Sequence, residues 1–387
     1  MNAIRTSRRT RTLRHSEIRN MTLECTRVSG INLSQGVCDT PVPEIVRRAA
    51  QAAIDDGVNI YTRYDGLPEL RRAIADNLRR AHGLDYDPET QIVVTNGATG
   101  AFYCACSALL DPGDEVILFE PFYGYHADTL RALEVVPKCV TLQPPDWTFA
   151  SRDLEAQVTG RTRALVVNTP GNPSGKVFQR AELEAIAEFA ARHALVVITD
   201  EIYDRFVYDG REHVSPAVLP GLFERTVTIG GFSKTFSITG WRIGFSACEN
   251  RELVRMLGHL NDLAYVCAPA PLQMGVARGL ERVGPEFYEL IRREYTCKRD
   301  KLCAALSRAG LSPHVPQGSY YVLADVSRLP GKSSKERAMF LLERTGVASV
   351  PGSAFYSGAG GEDLVRFCFA KTDAELDEAC RRFERLL

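Results

Sequence analysis

Hydrophobic and polar positions follow two different patterns along the chain. Between residues 46 and 284, stretches of helical periodicity alternate with short apolar runs rich in β-branched residues. This alternation is typical of β-α-β units around a mostly parallel sheet. It predicts helices at residues 69–81 and 180–193. It also predicts buried strands at residues 91–95, 115–119, 163–168, 195–199 and 227–229.

The pattern changes beyond residue 284. A long charged helical stretch at residues 285–309 is followed by strand-like segments at 319–325, 347–350 and 365–369, interleaved with helices. We therefore expect a large α/β domain at residues 46–284 and a smaller α+β domain formed by residues 1–45 and 285–387. No Pro/Ser-rich linker separates them, so we expect the two to share a close interface.

Composition and charge exclude several classes of protein. The chain has 387 residues, 45% hydrophobic and 25% charged, with a formal net charge of −1. This charge gives no general attraction to nucleic acid or to an anionic membrane. The longest apolar runs are far shorter than the roughly 20 residues that a membrane-spanning helix needs. We expect neither a nucleic-acid partner nor a membrane partner.

Cysteine and histidine usage points to an intracellular protein without a metal site. The 11 cysteines are an odd number without a C-x-x-C pair, and the seven histidines are scattered. A secreted disulfide scaffold and a zinc site are both disfavoured, and a cytoplasmic location is expected. Six arginines in the first 20 residues suit a transit peptide, but a solvated arm is the favoured interpretation.

Candidate chemistry lies just after the predicted strands, where ligands of open parallel sheets bind. Residues 95–101 (TNGATGA) place small side chains at a helix start. Backbone N–H groups there can hold a phosphate, although a tight turn without a ligand is equally compatible with this segment alone. Residues 168–175 (NTPGNPSG) predict a rigid turn that fixes the Asn172 amide.

Asp200 directly follows another buried strand. A carboxylate in that position is costly to desolvate unless a cation or a hydrogen-bond donor meets it. We expect a positive partner for Asp200, with a helix N-cap as the alternative.

The segment at residues 230–244 (GGFSKTFSITGWRIG) contains an unusual lysine. Only 8 of the 47 lysines and arginines are lysines, yet Lys234 lies among small and aromatic residues just after a strand. A desolvated amine near another cation loses its proton readily and can form a Schiff base with an aldehyde. Arg242 is suited to bidentate phosphate binding. A P-loop is excluded because Ser233 and Thr228 occupy its glycine positions.

These four segments, in this order, resemble those of fold-type I pyridoxal-phosphate enzymes, specifically class I and II aminotransferases of the kynurenine and neutral amino acid branch. Similar segments at residues 32–36, 61–70, 350–355 and 365–367 extend the resemblance over nearly the whole chain. The resemblance implies an α/β fold with a mostly parallel seven-stranded sheet between helices, plus a smaller α+β domain.

The resemblance also implies roles for individual residues. Lys234 would hold pyridoxal 5'-phosphate as a Schiff base and, once released, carry the substrate proton. Asp200 would keep the ring nitrogen of the cofactor protonated, so that the ring can accept electrons. Asn172 and Tyr203 would hydrogen-bond to its phenolic oxygen, and Tyr123 would stack on the ring.

The cofactor phosphate would be bound mainly at a helix start. By the resemblance, it would be held by Ala98, Thr99, Arg242 and, from the second subunit of a homodimer, Tyr61. Gly231 departs from this pattern, because many relatives have a phosphate-binding serine there. That contact is then absent or supplied by Ser233 or Ser237.

Substrate recognition is expected to depend on Arg366, which would bind the α-carboxylate with help from Asn172 and the backbone near Gly36. A surface arginine on a strand is the alternative for Arg366. Ala98 stands where an aspartate-specific subgroup has a lysine, so a neutral or aromatic amino acid is favoured over aspartate. Val37, Cys38 and Tyr125 suggest an apolar pocket.

The leading hypothesis is therefore a ping-pong aminotransferase that moves an amino group from an L-amino acid to a 2-oxo acid. A β-lyase acting on cysteine conjugates and an aspartate aminotransferase are alternatives. A ligand-sensing regulator is disfavoured, because only about 30 residues precede Ile31.

Overall fold

The computed structural model describes residues 5–7, 9–12 and 16–387. The helices are α1 Glu17–Arg27, α2 Glu44–Asp55, α3 Pro68–His82, α4 Gly97–Leu109, α5 Gly124–Ala132, α6 Ser151–Glu155, α7 Arg180–Arg192, α8 Arg251–Tyr265, α9 Ala270–Arg282, α10 Pro285–Arg308, α11 Ser334–Thr345 and α12 Asp373–Phe383. The strands are β1 Ile31–Asn32, β2 Ile92–Asn96, β3 Glu115–Glu120, β4 Val136–Thr141, β5 Thr162–Asn168, β6 Val196–Asp200, β7 Thr226–Gly231, β8 Ile243–Ala247, β9 Ser312–His314, β10 Tyr321–Asp325, β11 Val347–Ala348, β12 Val350–Pro351 and β13 Leu364–Cys368.

A seven-stranded sheet forms the centre of the larger layer. Its strand order is β2-β8-β7-β6-β5-β3-β4, and only β8 runs against the other six strands. Neighbouring side chains on a strand point to opposite faces. On β2, Val93 packs with residues of α4 and α8, whereas Val94 packs with residues of α3 and α9. The predicted mostly parallel sheet between helices is confirmed.

A smaller antiparallel sheet, in the order β12-β13-β10-β9, carries the C-terminal part of the chain. One core cluster joins its side chains to α1, α10, α11 and α12; Met21 and Phe367 are completely buried in it. Strand β1 pairs in parallel with β11, where Ile31 faces Val347. This pairing fixes the segment before Gly36 to the C-terminal region.

Most predicted elements lie within two residues of their predicted bounds. The predicted helix at 69–81 is α3, and the one at 285–309 is α10. The predicted strand at 347–350 is wrong as one element, because Ser349 separates β11 from β12. The pattern did not indicate β1, β4, β8 or β9. Strand β4 lies at the sheet edge and contains Pro137 and Lys138, which suit an edge strand.

The N-terminal segment is only partly a solvated arm. Residues 5–7 and 9–11 are exposed, but from Glu17 the chain is helical and Met21 is buried. The remaining residues of the expected arm, 1–4, 8 and 13–15, lie outside the described part. Across the described ranges, none of the helices combines the length and apolar character needed to cross a lipid bilayer.

The register of the sheet brings the ends of its central strands to one level. Asn168 of β5 pairs with Asp200 of β6, and Asp200 pairs with Ile229 of β7. Asn96, the last residue of β2, pairs with Ile243 of β8. The residues that follow these strands therefore meet at one edge of the sheet, the position where ligands of such sheets bind.

Candidate active site

A cavity of about 790 Å³ opens at this edge. The structure brings most of the predicted site residues together around it: Gly36, Ala98, Thr99, Tyr123, Asn172, Asp200, Tyr203, Ser233, Lys234, Arg242 and Arg366. Tyr61 does not line the cavity and is 80% exposed on the surface of the chain. Lys234 and Asp200, which come from different strand ends, thus share one cavity.

Lys234 lies in the loop after β7, with its amine directed toward the N-terminal segment. Its Nζ donates to the carbonyl oxygen of Gly36 at 3.0 Å and lies 5.6 Å from the centre of the Tyr320 ring. Desolvation lowers the pKa of Lys234; the positive charges of Arg242 and Arg366 lower it further, against an opposing effect of nearby thiols. A lysine with a lowered pKa is a better nucleophile toward an aldehyde.

Asp200 is the last residue of β6 and is buried. Its Oδ2 lies 2.9 Å from Nε2 of His126, and its Oδ1 accepts the backbone N–H of Ile202 at 3.2 Å. The partner in the structure is a histidine side chain within hydrogen-bond distance, and no helix begins at Asp200. His126 lies on α5. The centre of its ring is 4.4 Å from that of Phe102 and 5.3 Å from that of Tyr123. No sequence motif marked it.

Arg242 lies against the start of α4. The Arg242 guanidinium donates to the carbonyl oxygens of Thr239 at 3.0 Å and Asn96 at 3.4 Å. A Cβ atom on Gly97 would lie 2.5 Å from Nη2 of Arg242, so glycine allows the cation to approach the helix start. In the described part of the chain, no carboxylate forms an ion pair with Arg242. An unpaired cation at a helix N-terminus fits a phosphate.

A Cβ atom at Gly231 would lie 2.9 Å from Cδ1 of Ile202, so a serine there would require the end of the Ile202 side chain to shift. Of the two suggested replacements, Ser233 lines the cavity. Ser237 does not, because its hydroxyl is paired with Thr40 at 2.5 Å on the far side of the loop.

Arg366 is 0% exposed, which excludes the alternative of a surface strand residue. Its Nη1 donates to Oδ1 of Asn172 at 2.8 Å, and its Nη2 donates to the carbonyl oxygen of Ser34 at 2.7 Å. Its buried Nε has no hydrogen-bond partner, and none of the described carboxylates forms an ion pair with it. A buried guanidinium that lacks a counter-charge is suited to a carboxylate ligand.

Asn172 and Tyr203 also line the cavity. The side chain of Asn168 accepts the Asn172 backbone N–H at 2.8 Å and donates to the carbonyl oxygen of Asp200 at 3.0 Å, which fixes the turn. Because Oδ1 of Asn172 is occupied by Arg366, its NH₂ group is the part available as a donor. The hydroxyls of Tyr203 and Tyr321 lie 3.1 Å apart, and burial raises the pKa of Tyr203 well above its usual value.

Several lining residues carried no signal in the sequence. Tyr321 lies within the predicted strand at 319–325, which carries no motif. Helix α1, expected to be part of a solvated arm, contributes Ile18, Arg19, Thr22 and Leu23. Val37 and Tyr125 line the cavity as expected, but Cys38 does not. Its Sγ lies behind the lysine and donates to the carbonyl oxygen of Lys234 at 3.7 Å.

Comparisons with known proteins agree with this geometry. The family model described as "Aminotransferase class I and II" matches residues 28–383. A probable N-succinyldiaminopimelate aminotransferase of Mycobacterium tuberculosis is 40% identical over 377 residues, covering 95% of this chain and 94% of that protein. Mouse kynurenine–oxoglutarate transaminase 3 is 36% identical over 380 residues, covering 91% of this chain and 83% of that protein.

A solved structure shows the same fold. The N-succinyldiaminopimelate aminotransferase structure from Mycobacterium tuberculosis superposes with a TM-score of 0.95 at 39% identity, covering 99% of this chain and 100% of that one.

Proposed function

The chain belongs to the class I and II aminotransferase family and is thus a pyridoxal-phosphate-dependent transaminase, and we propose that it transfers the amino group of a neutral or aromatic L-amino acid to a 2-oxo acid. The single observation that carries this proposal is the cavity itself, in which Lys234, Asp200 and two cations without carboxylate partners line one space. The two half-reactions would use this one cavity in turn.

The residues fit pyridoxal phosphate. When bound, that cofactor supplies an aldehyde carbon that takes up the amino group and a ring that accepts electrons. Arg242 and the start of α4 would hold its phosphate, and Asp200 would hold the protonated ring nitrogen. Lys234 would hold the cofactor covalently, and its Nζ would move the proton on the substrate α-carbon. His126 would keep the Asp200 carboxylate oriented.

The α-carboxylate of the substrate would bind Arg366. This guanidinium is already held in place by Asn172 and Ser34, so little side-chain entropy is lost on binding. Binding at this site would orient the α-carbon toward Lys234.

A neutral or aromatic substrate is supported by the apolar lining. Val37, Phe102 and Tyr125 line the cavity, and position 98 carries alanine instead of a lysine that could bind a second carboxylate. The name of the kynurenine transaminase among the relatives agrees with an aromatic donor.

We further infer a homodimer. Tyr61 is 80% exposed, Ile60 is 79% exposed, and Leu263 of α8 is 85% exposed. The loop that carries Tyr61 is fastened to α8, because Asn261 donates to the carbonyl oxygen of Tyr64 at 2.8 Å. Exposed apolar side chains on adjoining elements mark an interaction surface. A second copy seated there would bring its Tyr61 to the phosphate site.

The domain division and the location of the protein are also proposals. Residues 46–284 would form the larger domain, and residues 1–45 with 285–387 the smaller one, with the cavity between them. All 11 cysteines are free thiols, which supports a reducing compartment such as the cytoplasm.

A donor panel tests the proposed function. Phenylalanine, kynurenine, methionine, glutamine and aspartate are each mixed with the holoenzyme, followed by pyruvate, 2-oxoglutarate or phenylpyruvate, and the cofactor spectrum is recorded. Neutral and aromatic donors should convert the cofactor to its amine form faster than aspartate does. Release of ammonia and pyruvate from a cysteine conjugate, without conversion by any amino donor, would instead establish a β-lyase.

A further inference from the structure

Tyr321 touches both functional halves of the cavity. It is the first residue of β10, is 2% exposed and lines the cavity. Its hydroxyl lies 3.1 Å from the hydroxyl of Tyr203. The face of its ring lies 4.2 Å from Cζ of Arg366. One side chain thus connects the residue assigned to the cofactor with the residue assigned to the substrate carboxylate.

We propose that Tyr321 is a positioning residue with two separable actions: its ring holds the Arg366 guanidinium in place, and its hydroxyl orients the hydroxyl of Tyr203. The proposal rests on the proposed function, because it uses the roles given there to Arg366 and the role implied for Tyr203. It adds a residue that the sequence did not mark.

The ring action follows from the surroundings of Arg366. Asn172 and Ser34 occupy two of its N–H groups. Its Cζ lies over the ring of Tyr321, 4.2 Å from the ring centre, and over that of Phe355, 4.9 Å from the ring centre. An aromatic face stabilises a desolvated cation without consuming any of its donors. The remaining N–H groups therefore stay available to a carboxylate.

The proposed action of the Tyr321 hydroxyl follows from the fact that the Tyr203 hydroxyl has only one proton to donate. If the Tyr203 hydroxyl is to donate to the cofactor, its oxygen can accept a hydrogen bond from a neighbour. Burial raises the pKa of Tyr321 to about 12, but the adjacent Arg366 opposes that rise, and a hydroxyl beside a cation is the better donor. Donation from Tyr321 to Tyr203 leaves the Tyr203 proton free, and such chains strengthen one another.

Gly36 makes room for this arrangement. A Cβ atom at position 36 would overlap the hydroxyl oxygen of Tyr321. The carbonyl oxygen of Gly36 also accepts from Lys234 and from the hydroxyl of Tyr320 at 3.2 Å. A side chain at this position would therefore displace Tyr321 from Tyr203.

The surroundings of the hydroxyl pair limit what can titrate there. The charged or titratable groups that face it from the packed elements are Lys234, Asp200, Tyr123, Tyr320, Arg366 and Cys368. A change confined to the Tyr321 hydroxyl leaves all of these side chains in place.

Two variants separate the two actions. Tyr321→Phe keeps the ring and removes the hydroxyl, whereas Tyr321→Leu removes both. In Tyr321→Phe holoenzyme the KM for the amino donor should stay within about twofold, while the pH midpoint of the visible cofactor absorption should rise, because a weaker Tyr203 donor stabilises the ring anion less.

In Tyr321→Leu the same midpoint shift should be joined by a roughly 5- to 30-fold rise in KM. A second readout does not depend on turnover: binding of 3-phenylpropionate, a carboxylate that cannot react, is measured by calorimetry. Its Kd should rise by a similar factor in Tyr321→Leu and stay unchanged in Tyr321→Phe.

The matched control is Tyr86→Phe, which removes a buried hydroxyl that pairs with Thr228 at 3.3 Å outside the cavity. It should move neither the midpoint nor the Kd. If Tyr321→Leu does not fold, Tyr321→Met, which also removes the aromatic face from Arg366, replaces it and should raise the Kd of 3-phenylpropionate in the same way.

The proposal is overturned if Tyr321→Phe leaves the midpoint unchanged, or if Tyr321→Leu binds 3-phenylpropionate as well as the wild type does. Failure of the wild-type holoenzyme to transaminate any donor would contradict the proposed function instead. The calorimetric result would still decide the ring action on Arg366.

Discussion

The two walls of the cavity are built in different ways. The strand-end wall consists of residues at or next to the ends of strands of the large sheet: Ala98, Thr99, Asp200, Lys234 and Arg242. The carboxylate wall consists of Gly36, Asn172, Tyr321 and Arg366, held together by contacts between distant segments. The first wall is defined by local sequence and the second by tertiary packing.

This difference predicts different consequences of substitution. Groups of the strand-end wall would take part in the chemical step, so their loss should lower kcat. Groups of the carboxylate wall would bind substrate, so their loss should raise KM. The following predictions test that contrast, beginning with the largest effect.

Lys234→Ala should abolish transamination, with a fall in kcat of more than about 10⁴-fold, because both the covalent link and the mobile base are lost. Borohydride treatment of wild-type holoenzyme should fix the cofactor to Lys234, as read by mass spectrometry of peptides. Lys138→Ala on the edge strand β4 is the control and should label normally. A label on any other lysine would contradict the assignment.

Asp200→Ala should lower kcat by about 10³-fold, because the buried carboxylate stabilises developing charge in a water-poor site. His126→Phe should have a smaller effect of about 10- to 100-fold, since it removes one hydrogen bond to a charged group. Stopped-flow measurement of single half-reactions tests both. An equal loss in the two variants would show that orientation by His126 matters as much as the carboxylate.

Arg366→Lys should raise KM by about 10- to 100-fold and change kcat little, because a lysine keeps the charge and loses the planar fork. Steady-state kinetics with several amino acids checks this. If kcat fell while KM stayed constant, Arg366 would belong functionally with the strand-end wall, and the contrast between the walls would fail.

Lys234→Met should stabilise the apoprotein by about 1 kcal/mol at neutral pH, because it removes a desolvated ammonium without a carboxylate partner. Desolvation lowers the folded-state pKa of Lys234 below its ordinary value of 10.5. Between that folded-state pKa and 10.5, the wild type should therefore gain stability as the pH rises. The difference in unfolding free energy between Lys234→Met and the wild type should then become smaller. Urea unfolding of both proteins across the pH range measures this difference. A difference that does not change with pH would contradict its attribution to the desolvated ammonium.

The sequence predicted the strand-end wall well, because buried parallel strands are apolar and the residues that follow them are polar and conspicuous. Asp200 and Lys234 stand out in this way. His126 does not, because a single histidine on a helix has no characteristic spacing. Tyr321 is indistinguishable by pattern from the other residues of its strand, and only tertiary packing places its ring on Arg366.

The missed strand β8 has a physical explanation too. Strand β8 contains Gly244 and Ser246, so its run lacks the continuous apolar character of the others. A Cβ at Gly244 would run into the backbone of Gly97, so glycine there allows β8 to approach the start of α4, where the phosphate is proposed to bind. The same residue that weakens the strand signal thus has a role at the site.

The hydrogen bonds from the Arg366 guanidinium to Ser34 and Asn172 have a consequence for recombining related enzymes. Three pieces of the chain, before residue 40, near 170 and beyond 360, must match one another for Arg366 to be held. A chimera that takes its first 45 residues from one parent and its last hundred from another could fold and keep the cofactor. Its amino acid preference would nevertheless belong to neither parent, so crossover points should leave these three pieces together.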